Sequence, residues 1–239
     1  MNHQETLHRH ETRQRQYQVV VRNERLTALA AAVLLVGFVV DLFVTANLHK
    51  LIMIHIFIGV LLAGPLVVKL FSVGYRFFRY YGSRSPAFVA KGPPNPWMRL
   101  LAPFLILDTL ALFLSGMALA LHGPVNDRLL FLLHAATAAM WVPMIAVHVY
   151  AHIRQVPRSI ARDWAVPSSQ AVSGRAQRLR LTIIALTIGA VAAVLITPLA
   201  ASWRHAFIPN VIPSPLILGI VTAIIGVIIA VPLLRGARD

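Results

Sequence analysis

Six long apolar runs constrain this chain more than any other feature of its sequence. Each is close to the roughly 20 residues that a helix needs to cross a hydrocarbon core of about 30 Å, and each is too long for a barrel strand. The runs are Leu26–Leu48, Leu51–Phe71, Leu100–Leu121, Leu129–Ala151, Leu181–Trp203 and Leu216–Leu234. With 58% hydrophobic residues and 13% charged residues, the chain carries more apolar surface than a water-soluble fold of 239 residues can bury. The pattern predicts an all-α membrane protein with six transmembrane helices.

The basic residues are distributed unevenly between the two predicted faces of the membrane. The net charge is +14, and most of the 22 Lys and Arg residues lie in the amino-terminal arm, in the connections between spans two and three and between spans four and five, and in the tail. The opposite connections hold only Lys50, Arg128 and Arg204. By the positive-inside rule this asymmetry places both termini in the cytoplasm, and it accounts for the charge without a nucleic-acid partner.

The ionisable residues inside the membrane divide the chain into parts. All of them fall in the first four spans, and the last two spans contain neither a charge nor a histidine. We therefore expect a cytoplasmic arm, a four-helix transmembrane domain that carries the site, a cytoplasmic linker, and a two-helix hairpin that serves for packing, as a dimer face or as a dock for another subunit. These parts cover residues 1–25, 26–152, 153–180 and 181–239.

Two histidines are predicted to stand at matching depth on separate spans. His55 lies four residues into the second span and His134 five residues into the fourth, and both spans run inward from the outer face, which places both rings roughly 6 to 7.5 Å below the outer boundary. Two imidazoles at one depth in a helical bundle can hold one metal ion from opposite sides. The chain has no cysteine, so a metal must use His or carboxylate ligands. The alternative is a histidine that hydrogen-bonds between helices.

Two further residues extend this pattern. His148 follows His134 by fourteen residues, which returns to about the same helix face roughly 21 Å deeper in the membrane. Gly59 lies one turn after His55 and leaves room for a flat macrocycle close to the backbone. The spacing predicts His148 as a second, inner ligand, and Gly59 as part of the cofactor wall.

The stretch from His55 through Gly59 to Lys69 and the run LHAATAAMWVPMIAVHVYAH from Leu133 to His152 resemble the bacterial membrane b-type cytochromes. The family includes the cytochrome b subunits of nickel–iron hydrogenases and formate dehydrogenases. The resemblance covers the first four spans and implies a four-helix bundle that binds haem b through bis-histidine ligation. It also implies electron transfer between the quinone pool and a redox partner protein, in a subunit of an oxidoreductase of the bacterial cytoplasmic (inner) membrane.

The sequence departs from the di-haem pattern of that family at one position. Lys69 stands fourteen residues after His55, where a ligand opposite His148 would be expected. The outer haem is therefore predicted at His55 and His134, and the inner haem lacks one ligand. Lys69 either extends to the interface or pairs with Asp108, which enters the inner half from the third span and would complete a polar inner site for protons or a quinone headgroup.

Asp41, in the outer half of the first span, is the remaining intramembrane charge. It is expected either to hydrogen-bond a ligand imidazole, as carboxylates near metal sites do, or to reach the interface. Two other functions use the same residues without a cofactor. In one, the intramembrane charges and histidines line a proton, ion or solute path. In the other, the chain anchors a soluble complex and the histidines are structural.

Overall fold

The computed structural model describes residues 3–92, 95–124, 128–164, 172–206 and 214–236, with side chains from Gln14 to Arg235. Within these ranges the chain is helical almost throughout and contains no strand. The helices are α1 (His3–Val44), α2 (Leu48–Phe77), α3 (Pro86–Ala90), α4 (Pro96–His122), α5 (Arg128–His152), α6 (Gln155–Trp164), α7 (Arg175–Leu199) and α8 (Pro215–Gly236). Short 3-10 helices occupy Thr45–Asn47 and Ala201–His205, and a π-helical turn, Phe78–Gly82, ends α2. The all-α prediction is confirmed.

Five helical segments of the described chain are long and apolar enough to cross a membrane. They are Gln14–Gly82, Pro96–His122, Arg128–His152, Arg175–Leu199 and Pro215–Arg235. Many large apolar side chains on them are exposed, including Val194 and Ile228. Exposed apolar surface of this extent has no stable place in water, and it is the surface that a lipid bilayer covers. The segments indicate a multi-pass membrane protein.

The first of these segments contains two helices, α1 and α2, that run antiparallel. Asp41 of α1 contacts His55 of α2, and Asn23 of α1 contacts Ser72 of α2. The sequence separation of the contacting residues grows from 14 to 49 along the helices, as expected for a hairpin that turns at the 3-10 helix Thr45–Asn47. The arm predicted as a separate part continues into the first span as one helix from His3, because neither Gly nor Pro interrupts the chain before Gly37.

The chain divides into two compact units. Unit 1 comprises Met1–Val33, Pro65–Pro93 and Arg154–Ala185. It is held by polar contacts: Asp163 binds both Arg25 and Arg178, and Asn23 hydrogen-bonds Ser72. Glu24 pairs with Lys91 and Arg76 in the same unit.

Unit 2 comprises Leu34–Gly64, Pro94–Ile153 and Leu186–Asp239 and contains the whole of α4, α5 and α8. Small residues bring its helices together. A side chain at Gly189 of α7 would collide with the backbone carbonyl of Leu61 in α2, and one at Gly226 of α8 would press on Pro143 of α5. The C-terminal helices therefore pack directly on the bundle, as their small residues predict. The sequence-based boundaries of arm, bundle, linker and hairpin stay a prediction.

Candidate functional site

The rings of His55 and His134 meet inside unit 2. His55 comes from α2 and His134 from α5, and their ring centroids lie 6.3 Å apart with an interplanar angle of 66°. The structure thus brings together the two histidines that the sequence places at equal depth. A metal-bound imidazole nitrogen lies about 2 Å from the metal, so two rings that share one ion from opposite sides have centroids about 6 Å apart. The observed spacing fits such a pair.

The His55 ring is oriented by a carboxylate. Its Nδ1 lies 2.9 Å from Oδ1 of Asp41, and the two side chains are 24% and 16% exposed. An ionised carboxylate only accepts, so Nδ1 carries the hydrogen and donates it to Asp41. The neutral ring then has its lone pair on Nε2, which is the form that binds a metal. Of the two alternatives for Asp41, the hydrogen bond to a predicted ligand is confirmed.

The His134 ring is oriented by two uncharged acceptors on α4. Its Nδ1 lies 3.2 Å from the carbonyl oxygen of Leu112 and 3.1 Å from Oγ of Ser115. The carbonyl can only accept, so Nδ1 again carries the hydrogen and Nε2 the lone pair. Across the described part of the chain, each of the two rings forms hydrogen bonds through Nδ1 alone. In both rings Nε2 is therefore the nitrogen that a metal could use.

Gly116 of α4 leaves the space that the His134 ring occupies. A Cβ atom at this position would lie 2.9 Å from Cε1 and 3.3 Å from Nδ1 of His134, which is closer than such atoms pack. Any side chain at residue 116 must displace the ring. The position of His134 thus depends on two adjacent residues. Ser115 supplies a hydrogen-bond acceptor, and Gly116 leaves the space for the ring.

A cavity of about 230 Å³ adjoins both rings. Its walls are mostly aliphatic and aromatic, and Asp41, Thr45, His55 and His134 are the polar side chains on them apart from two tryptophans. A largely apolar cleft with a few convergent polar groups is the usual form of a cofactor site. Gly59 lines this cavity, and a Cβ atom there would meet no other atom within 4 Å. The open space at Gly59 is consistent with the predicted role in admitting a flat cofactor.

Two tryptophans complete the cavity and are held by hydrogen bonds. Trp141 of α5 donates from Nε1 to Oγ1 of Thr109 at 2.9 Å. Trp203, in the 3-10 helix after α7, donates from Nε1 to the carbonyl oxygen of Leu119 at 2.9 Å. Both lie within unit 2 and both are largely buried. The 3-10 helix that follows α7 therefore forms part of the cavity wall.

The predicted inner site is not assembled around this cavity. The His148 ring lies against His152, with centroids 4.8 Å apart, and neither residue lines the cavity. Asp108 belongs to unit 2, and one of its carboxylate oxygens is buried and has no hydrogen-bond partner in the described ranges. Lys69 belongs to unit 1. The inner-ligand role of His148 and the Lys69–Asp108 pair stay predictions.

The sequence did not predict several residues that shape the site, among them Leu112, Ser115, Gly116, Trp141 and Trp203. A signal for two of them was present, because Ser115 and Gly116 are adjacent small residues within the third predicted span, and small residues mark close contacts between membrane helices. No pattern marks the carbonyl of Leu112, since a backbone acceptor leaves no trace in sequence. Trp203 ends a predicted span and is followed by Arg204, so its sequence setting does not distinguish it from a residue at the membrane interface.

No group of three or more His, Cys, Asp or Glu side chains that could hold a metal ion occurs in the ranges that the structure describes. A haem iron needs only two protein ligands, because the porphyrin supplies the other four, so the pair His55 and His134 is a sufficient set. Comparison of the chain with protein-family models, with curated proteins and with solved structures gives no match.

Proposed function

We propose that this protein is a membrane-embedded b-type cytochrome in which His55 and His134 hold the iron of one haem b. One observation carries the proposal. Two histidines from separate helices lie 6.3 Å apart between ring centroids, and each is hydrogen-bonded through Nδ1 so that its Nε2 can bind a metal. When bound, haem supplies one-electron transfer at a potential set by its ligands and surroundings.

The residues around the pair have distinct tasks in this proposal. Asp41 orients the His55 ring and Ser115 orients the His134 ring, each through a hydrogen bond to Nδ1 of that ring. Phe38, Trp141 and Trp203 close the apolar walls and keep water away from the ligands. Gly59 leaves room for the porphyrin edge.

The partners follow from the resemblance to bacterial membrane cytochromes b. The protein exchanges electrons between membrane quinone and a redox partner protein, and it is an electron-transfer subunit of an oxidoreductase rather than a complete enzyme. We assign one haem to the protein, because Lys69 and not a histidine stands at the sequence position expected for a ligand opposite His148. A second haem at His148 would require a ligand other than Lys69.

The proposed topology has six spans with both termini in the cytoplasm. It is supported by the antiparallel pairing of α1 and α2, which turns the longest apolar segment into two crossings, and by the uneven distribution of Lys and Arg. Together with the resemblance, this topology assigns the protein to a bacterial cytoplasmic membrane.

Absorption spectroscopy of the purified protein tests the proposal. The wild-type chain should show reducible Soret and α bands of low-spin haem b. His55→Ala and His134→Ala should each lose at least nine tenths of the bound haem, because bis-histidine ligation needs both nitrogens. His49→Ala and His205→Ala are the controls, since neither side chain lines the cavity, and both should keep the wild-type spectrum.

Two results would contradict the proposal. A wild-type protein without haem bands, after expression with sufficient haem, would leave the cofactor-free transporter and the anchor subunit as the remaining functions. Equal loss of haem in all four variants would show that the histidines act on folding and not on ligation.

A further inference from the structure

The two rings of the site have unequal neighbours. The Nδ1 atom of His55 faces a carboxylate, whereas that of His134 faces a backbone carbonyl and a hydroxyl. Asp41 is only 16% exposed and forms no other ion pair in the ranges that the structure describes. In the described part of the chain, Asp41 therefore accepts a hydrogen bond from His55 and not from His134.

This difference between the hydrogen-bond acceptors of the two rings has two physical consequences for an iron held between them. A carboxylate that accepts the Nδ1 hydrogen draws the proton away from the ring and makes Nε2 a stronger donor than a neutral acceptor does. Its negative charge, little screened in an apolar site, also favours the more positive oxidation state nearby. Both effects stabilise ferric over ferrous iron. The interactions of His134 supply only the weaker, uncharged form of the first effect.

We propose that Asp41 is a positioning residue that would make His55 the stronger of the two histidine ligands and would lower the midpoint potential of the bound haem. The inference rests on the proposed function, since it concerns the cofactor that His55 and His134 are proposed to hold. In this inference Asp41 does not bind the iron, and it acts on the midpoint potential through His55.

The matched variants are Asp41→Asn and Ser115→Ala. Asparagine keeps an acceptor oxygen of nearly the same shape and removes the charge, so Asp41→Asn should retain haem and raise the midpoint potential. Ser115→Ala removes one acceptor from His134 but leaves the Leu112 carbonyl in place, so the potential should change much less. The readouts are a redox titration followed in the α band and the haem content per polypeptide.

A second measurement covers the case in which Asp41→Asn does not retain haem. The His55→Gly protein, which should also lose haem, is supplied with haem and imidazole together, so that imidazole can take the vacated ligand position and donate its own N–H to Asp41. The protein with both His55→Gly and Asp41→Asn should bind imidazole at least several-fold more weakly than His55→Gly alone, measured by the return of the low-spin spectrum.

The outcomes separate this inference from the function on which it rests. Absence of haem in the wild-type protein overturns the proposed function. Haem in the wild type together with an unchanged or lowered potential in Asp41→Asn overturns the role of Asp41 alone. So does an equal affinity of the single and double variants for imidazole, or a shift in Ser115→Ala as large as that in Asp41→Asn.

Discussion

At the scale of single residues, the site depends on the absence of one side chain as much as on the presence of two histidines. Gly116 is the only glycine of α4, and it lies where the His134 ring passes closest to the backbone. The ring cannot move away freely, because its Nδ1 atom is held by Leu112 and Ser115 from the same helix. Space and hydrogen bonding together determine where Nε2 points.

Gly116→Ala should therefore weaken the proposed haem binding while leaving the fold intact. The added Cβ atom forces the His134 ring to shift, and a misplaced ligand should lower haem affinity at least tenfold, which corresponds to about 1.4 kcal/mol. The haem content after purification and the dissociation of haem to an apo-acceptor protein measure the effect. Gly74→Ala is the control, because a Cβ atom there meets no other atom within 4 Å and Gly74 does not line the cavity. Wild-type affinity in Gly116→Ala would contradict the assigned packing.

At the scale of the elements, close backbone contact attaches α7 to α2. Gly189 lies so near the carbonyl of Leu61 that no side chain fits between them. The 3-10 helix that carries Trp203 follows α7 directly and contributes to the cavity. Helix α7 thus matters for the site even though its apolar part, from Leu181 onwards, carries no ionisable residue.

Gly189→Val should destabilise the protein by about 1–3 kcal/mol, because overpacking at a tight contact forces the backbones apart. The midpoint of thermal unfolding in detergent should fall, and haem content should fall with it as Trp203 is displaced. Ile188→Val, on the neighbouring exposed position, is the matched control and should leave both values near wild type. A normal midpoint in Gly189→Val would show that α7 does not pack on α2 in this way.

Three elements of unit 1 are joined at Asp163. This carboxylate of α6 accepts from Nη1 of Arg25 in α1 at 2.5 Å and from Nη2 of Arg178 in α7 at 2.6 Å. Burial by itself raises the pKa of Asp163, but the hydrogen bonds and charges of Arg178 and Arg25 outweigh it and hold the pKa below its ordinary value. The ionised form is therefore favoured in the folded state, and Arg178 is nearly buried beside it.

The sign of the resulting pH dependence is determined by that lowered pKa. The stability that Asp163 contributes is fully present above the ordinary aspartate pKa of about 3.9, and it is lost as the pH falls through the lower pKa of the folded state.

Asp163→Asn should lower the free energy of unfolding by about 3 kcal/mol near neutral pH, because it leaves a buried arginine without its counter-charge. The variant should also lose part of the acid sensitivity of the wild type. Thermal unfolding as a function of pH measures both, and Arg162→Gln, at an exposed position, is the control. Identical pH profiles for wild type and Asp163→Asn would refute the role of this cluster.

At the scale of the whole molecule, the absence of native cysteine makes the topology directly testable. Single substitutions at the exposed residues Ser83, Ser173 and Ser202 place one thiol in each of three connections, since α7 ends at Leu199 and Ser202 lies in the 3-10 helix after it. With six spans and cytoplasmic termini, an impermeant maleimide added to intact cells should label Ser202→Cys and should reach Ser83→Cys and Ser173→Cys only after permeabilisation. If the segment Gln14–Gly82 crossed only once, with the amino terminus inside, all three results would be reversed.

Much of this architecture can be predicted from single stretches of sequence. Apolar length predicts the spans, because a helix that crosses lipid must satisfy its own backbone and present apolar side chains. Depth is also predictable, since helical rise is constant, and this is why His55 and His134 were expected at one level and are found in contact. The continuation of α1 into the arm was not expected, although the absence of Gly and Pro before Gly37 permits it.

The apolar helices and the matched level of His55 and His134 were determined by the sequence itself, because these properties depend on local hydrophobicity and on a fixed rise per residue. Only the tertiary structure decided which groups orient the rings. Asp41 faces His55 because α1 folds back on α2, and Ser115, Gly116 and the Leu112 carbonyl face His134 because α4 packs on α5. The same is true of Trp203, which reaches the cavity through the packing of a distant span. The rotation of a helix about its own axis depends on how it packs against its neighbour. The sequence of one helix alone therefore does not determine which of its residues face the site.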